Sequence, residues 1–350
     1  MIESENEMIT YSKNVLKKHR QLSLRFFNHA LIKVIKKLIK ISGIEIALMN
    51  NTVAKIDGVG AQLQRLIALV ALCNYIKMPF VQQEFSDVSV HPLDPFQDPK
   101  SKTIFLNKVN FLFKFNGNTV ENKDIFNVID IPHLSSVQLL KVILKAILLK
   151  KSIIVKVIEP YKITNHYQDM CLNLNNNFQN WVAFVKNFKK DVNSDVIYIH
   201  YRQGVGGLVV YPGQKISREM PLNYYLDKVN DIKLTAPNLN SVFIFTDAPK
   251  ANLEYVPDSF QKSHWEGTPG FTSGKLHIKG NNFVLDFSSK GLNVQTVSGG
   301  DPLEAIAIMS LASYLITSRS SLSYVAGLLN ASGRIYYAHE FWHPKPNSWY

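Results

Sequence analysis

Val196-Ile197-Tyr198-Ile199-His200-Tyr201-Arg202-Gln203-Gly204 is the stretch from which the rest of the chain is read. Its β-branched and aromatic residues predict a strand over 196–200 that runs out into a glycine-rich loop. Open α/β sheets bind ligands at the carboxyl ends of their strands. An arginine placed there can hold a phosphate through two parallel hydrogen bonds and a permanent charge. Taken alone, the segment reads as an ordinary surface arginine beside a loop, so its meaning depends on its surroundings.

Downstream, helical and strand-like patterns alternate. The pattern predicts a helix over 224–232, a buried strand over 242–246, a strand over 283–287, a helix over 302–312, a strand over 314–317 and a helix over 321–329. Upstream, strands are predicted over 44–49, 78–82 and 152–158, with helices from 62 to about 75, over 134–149 and around 181–188. Residues 84–125, with Pro92, Pro95 and Pro99 close together, read as an irregular insertion. The alternation predicts an α/β protein of two doubly wound, Rossmann-like domains facing a cleft. The expected boundaries are 1–42 for a basic N-terminal segment, 43–190 for the first domain and 191–350 for the second.

Within residues 13–42, Phe27, Leu31, Val34, Ile35, Leu38 and Ile41 recur at helical spacing, with Lys33, Lys36, Lys37 and Lys40 opposite. Two readings stay open: a helix packed on its own domain with a solvated lysine face, or peripheral contact with an anionic membrane. Formal net charge of +12 over 350 residues favours anionic partners. No nucleic-acid-binding motif accompanies the charge, so nucleic acid is not an expected partner. Two cysteines, Cys73 and Cys171, exclude a disulfide framework and read as free thiols. With no signal-peptide pattern, they place the expected location in the cytoplasm.

Three further segments carry polar groups at element ends. Thr317-Ser318-Arg319-Ser320-Ser321-Leu322-Ser323 closes a strand and opens a helix, whose free N–H groups attract phosphate. Serine capping alone accounts for one of these hydroxyls, not for all of them. Phe245-Thr246-Asp247-Ala248-Pro249 ends another strand, where the carboxylate either accepts from a ribose or base or forms a turn. Gly58-Val59-Gly60-Ala61-Gln62 leads into a helix; it is neither a dinucleotide fingerprint nor a P-loop.

Together, His200 to Gly204, Thr246 to Pro249, and Ser318 to Ser323 with Ala326 and Gly327 resemble the ordered motifs of the α1,2-, α1,6- and protein O-fucosyltransferase superfamily. Asp57 to Gln62 is similar to that group's N-terminal glycine loop. The chain departs from the pattern at Val205, where the family has an acid, and at Asp57 and Ala61, where it has glycine and asparagine. The resemblance implies the GT-B fold, with the first domain on the acceptor side and the second on the donor side. It implies transfer from a nucleotide sugar, GDP-fucose in most of the family, to a glycan or other hydroxyl acceptor. It also implies no cofactor and no metal, and the sequence has no Asp-x-Asp motif. Arg202 is then the expected catalytic cation against the departing diphosphate. His200, Arg202, Thr246, Asp247, Ser318, Ser320, Ser321, Gly58, Gly60 and Gln62 are the expected donor-binding set. Glu219, Asp286, Asp301 and Glu304 are all open as a general base. A transferase for another nucleotide sugar and a non-catalytic glycan- or nucleotide-binding protein are the competing readings.

Overall fold

The computed structural model describes residues 27–28, 30–54, 57–89, 94–120, 126–164, 168–172, 174–203, 218–256, 271–339, 341 and 343–350. In chain order its elements are α1 (30–42), β1 (Ile46–Asn50), α2 (Val59–Ile76), β2 (Phe80–Val81), α3 (Pro99–Leu112), β3 (Asn127–His133), α4 (Ser136–Leu149), β4 (Ile153–Glu159) and α5 (Gln179–Lys186). There follow β5 (Val196–Tyr201), α6 (Leu222–Thr235), β6 (Ser241–Thr246), β7 (Leu253–Tyr255), β8 (Phe271–Thr272), β9 (Lys275–Ile278) and α7 (Phe283–Ser289). The last are β10 (Asn293–Ser298), α8 (Pro302–Leu311), β11 (Tyr314–Ile316), α9 (Ser321–Leu329) and β12 (Arg334–Tyr336). The protein is α/β, built on two Rossmann-like parallel sheets, as the alternating pattern predicts.

The chain forms two compact units that interleave along the sequence: 1–51, 68–81 and 118–170 make the first, and 52–67, 82–117 and 171–350 the second.

The first unit carries a four-stranded sheet of order β2-β1-β4-β3, with all three pairings parallel. Ala47, Val81, Val120, Phe126 and Ile154 form one buried cluster there. The helix α4 starts with a capping box, in which the Ser135 hydroxyl accepts from the Gln138 N–H and the Gln138 side chain accepts from the Ser135 N–H.

In the second unit, β10-β6-β5-β11-β12 form a five-stranded, wholly parallel sheet. Alternate residues of a strand face opposite sides. Ile197, Ile199 and Tyr201 therefore enter the core with Tyr225 of α6 and with Phe283 and Phe287 of α7. Tyr201 stacks on Phe283 at a centroid distance of 4.0 Å. That packing fixes the strand's other face, which presents His200. A small antiparallel sheet of order β7-β9-β8 follows β6.

Three expectations are corrected. Residues 84–125 are not all irregular, because α3 runs from Pro99 to Leu112. Proline at the first helical position has no lost hydrogen bond to make good, and the Asp98 side chain accepts from the Lys100 and Ser101 N–H groups. Residues 283–287 are helical rather than a strand: Phe283 and Phe287, four apart, are both buried on one face. The apolar stripe of α1 also divides. Of its predicted members Ile35 is buried, Leu31 and Leu38 are half-buried, and Phe27, Val34 and Ile41 are exposed, while Ile32, outside the predicted stripe, is buried. Residues 13–26 of the predicted helix lie outside the described residues. Val59–Ile76 has the length and composition of a membrane span, but most of it is buried, which marks a core helix.

Candidate functional site

The order of the second sheet contains a topological switch point. From β5 the chain proceeds through α6 to β6, its neighbour on one side, and β10 extends the sheet beyond β6. It then returns to β11, on the other side of β5. Strand order reverses between β5 and β11, and such switch points open ligand crevices at the carboxyl ends of the strands.

Two side-chain rungs cross that point. His200 Nδ1 lies 2.6 Å from Ser318 Oγ in a buried contact. Two residues further along each segment, Arg202 Nη1 donates to Ser320 Oγ at 2.9 Å. The equal spacing on both segments follows from the period of two of extended chain. His200 is buried, and its pKa falls to about 4. Burial is the chief cause, the Arg202 charge adds to it, and Asp247 opposes it. The imidazole is therefore neutral at pH 7. Arg202 Nε is buried and has no hydrogen-bond partner among the described residues.

The Ser320 hydroxyl also accepts from the Leu322 N–H at 3.3 Å, capping α9. Ser323, buried in the first turn, accepts from the Ser318 N–H at 3.3 Å. Thr317 Oγ1 donates to the Tyr336 carbonyl and accepts from the Ala338 N–H, each at 3.1 Å, which ties the turn to β12. Ser318 and Ser320 are thus spent on His200, Arg202 and the turn, while Ser321 stands partly exposed as the first residue of α9.

Thr246 and Asp247 divide their work. Thr246 Oγ1 accepts from the Ala248 N–H at 3.0 Å, which makes the turn after β6. Asp247 Oδ1 accepts from the Gln203 N–H at 3.0 Å and holds the ends of β5 and β6 together. Gly204 and Val205 lie outside the described residues.

The glycine loop belongs to this same unit. A Cβ on Gly60 would stand 2.6 Å from Leu322 N and 2.8 Å from Leu322 Cα. Backbone therefore meets backbone, and the N-terminal turns of α2 and α9 converge. Neither first turn carries an acidic residue. Two partial positive charges thus gather beside Arg202's anchor, Ser320. Gly58 N donates to Asp57 Oδ1 at 3.0 Å, and Arg65 Nη1 reaches Asp57 Oδ2 at 3.2 Å. Gln62 is buried, and its Nε2 donates to the carbonyls of Asp57 and Asp87, both at 2.8 Å. Its two donor hydrogens hold the loop, so Gln62 acts there as a strut. From the sequence, Asp57 reads only as a departure from the family's glycine and Arg65 has no role, although an Asp and Arg eight apart across a glycine loop are visible in it.

Of the four possible bases, Asp301 caps α8 through the Leu303 N–H at 2.8 Å and pairs with Lys108 at 2.5 Å. Glu304 lies 4.0 Å from the same lysine. Asp286 is exposed on α7. Glu219 differs: burial raises its pKa, Lys279 opposes the rise, and Asp247 adds to it. Among the described residues, no three His, Cys, Asp or Glu side chains gather so as to hold a metal ion.

No family model and no curated protein matches the sequence. Among solved structures, POFUT1 in complex with GDP aligns over 83% of this chain and 97% of its own at 9% identity, with a TM-score of 0.41. POFUT1 in complex with GDP-fucose aligns over 86% and 96% at 8% identity, with a TM-score of 0.36. E. coli heptosyltransferase WaaC with ADP aligns over 83% and 87% at 9% identity, with a TM-score of 0.31.

Proposed function

We propose that this protein is a metal-independent glycosyltransferase that takes its sugar from a nucleotide diphosphate. The carrying observation is the Arg202–Ser320 rung at the switch point of the second sheet, beside two converging helix N-termini. A departing diphosphate gains negative charge as the glycosidic bond breaks. A guanidinium held by a hydroxyl and flanked by helix N–H groups is preorganised for that charge. His200 and Ser318 position the strand end through their buried contact, which leaves Arg202 as the cation there. GDP-fucose is the donor we assign, on the motif resemblance alone, with a glycan or other hydroxyl as acceptor. Glu219 is the acid whose raised pKa suits a base for that hydroxyl.

The test is turnover against a panel of nucleotide sugars, GDP-fucose among them, for the wild type and Arg202→Ala. Release of nucleoside diphosphate by the wild type, abolished in the variant, is the expected result. Tight nucleotide binding with no sugar transfer or hydrolysis from any donor would leave a binding protein instead.

A further inference from the structure

We propose that the outer face of α4, in the first unit, docks on an anionic lipid surface. An α-helix turns about 100° per residue. Leu139, Ile143 and Ala146 form its buried line. Val137, Lys141, Leu144 and Leu148 fall within a sector of roughly 60° on the opposite side. Val137 and Leu144 are each 42% exposed, Leu148 is 83% and Leu149 is 53%. The helix therefore has a second apolar line where a solvent-facing helix ordinarily carries only polar residues.

Charge selects the occupant. Lys141 and Lys145 are exposed along this line, Lys150 and Lys151 are exposed at its end, and 134–151 contains no acid. Lysine stems lie along apolar surface while their heads reach a charged layer, which suits a helix lying in a membrane interface. A second copy of the chain would set these lysines against one another across a two-fold axis, and an isologous contact of that kind is repelled. The +12 net charge acts in the same direction. In the same unit, α1 presents Val34 and Ile41 with Lys33, Lys37 and Lys40, again without an acid. This face carries none of the residues assigned to the transfer site.

Flotation of the full chain with phosphatidylcholine vesicles, with and without phosphatidylglycerol, tests the proposal. Binding should require the anionic lipid and fall with added salt. Lys141→Gln with Lys145→Gln should lower partitioning about fivefold for each lysine removed. Leu144→Gln with Leu148→Gln should weaken it as well. Both pairs are exposed, so thermal midpoints should stay at the wild-type value. Leu148→Trp should add emission over the wild type that shifts to the blue on anionic vesicles only. Several outcomes would overturn the inference. These are equal binding to neutral vesicles, unchanged binding by both α4 double variants, sensitivity only to Lys33→Gln with Lys37→Gln in α1, or a Leu148-dependent dimer in sedimentation velocity.

Discussion

Arg202 Nη1 donates to Ser320 Oγ at 2.9 Å, and the same oxygen accepts from the Leu322 N–H as the cap of α9. One hydroxyl thus orients a guanidinium and starts a helix. Replacing Arg202 by Lys keeps the charge but removes the fork that can hold two diphosphate oxygens. Arg202→Lys should fold normally and lose on the order of 100-fold in kcat, the size of one lost transition-state donor. KM should change little if the contact strengthens as the bond breaks. Steady-state kinetics with circular dichroism as the fold control decides it; wild-type kcat/KM would return Arg202 to an ordinary surface residue.

His200 gives a pH dependence of defined sign. Its folded pKa of about 4 lies below the unfolded value near 6.5. Between those values the unfolded chain takes up a proton that the folded protein refuses. Stability is therefore unaffected by this group above pH 6.5 and falls as pH drops toward 4, by about 1.4 kcal/mol per pH unit. Urea unfolding of the wild type and His200→Asn across that range should show a shallower slope for the variant. Parallel slopes would mean that the imidazole takes its proton in the folded state as readily as in the unfolded one.

Gly60→Ala should destabilise the protein by about 1–3 kcal/mol, the usual cost of overpacking, although alanine is the better helix former. The atoms that its Cβ would meet are backbone atoms of Ser321 and Leu322, which cannot rotate away. The variant should also raise KM for the donor, since the N-terminus of α9 must shift. Denaturant midpoint and donor titration are the measurements; wild-type stability would show that the two turns separate at little cost.

Turnover should survive EDTA. The reading rests on Arg202 and helix N–H groups as the neutralising charges, in a sequence without an Asp-x-Asp motif. Activity lost to the chelator and restored by Mn²⁺ would overturn it.

The central strands were legible because β5, β6 and β11 are apolar runs that end sharply in polar residues. The helix predicted over 321–329 has the observed bounds, since Ser320 caps its start and the uncharged run from Tyr324 to Leu329 ends at Asn330. β10 and β12 were missed for physical reasons. β10 is half exposed and rich in polar residues, and β12 is three residues long; both lie at sheet edges, where burial imposes little pattern. Proline density hid α3, and Phe-Val-Leu-Asp-Phe has strand composition with a helical pair of phenylalanines. At the candidate site, the residue types and their positions at element ends were readable. Which serine meets His200 and which meets Arg202 depends on strand order and register, which local sequence does not encode.

The meeting of Gly60 with Leu322 has a consequence for how the molecule forms. These residues stand near opposite ends of the chain, and folding slows as contacts join more distant positions. Closing so long a loop costs entropy that only the completed contact returns. Contacts of that span form at greater entropic cost than the local turns of α2 and α9 themselves. A nascent chain emerging N-terminus first must hold 52–67 without that partner until α9 has been synthesised.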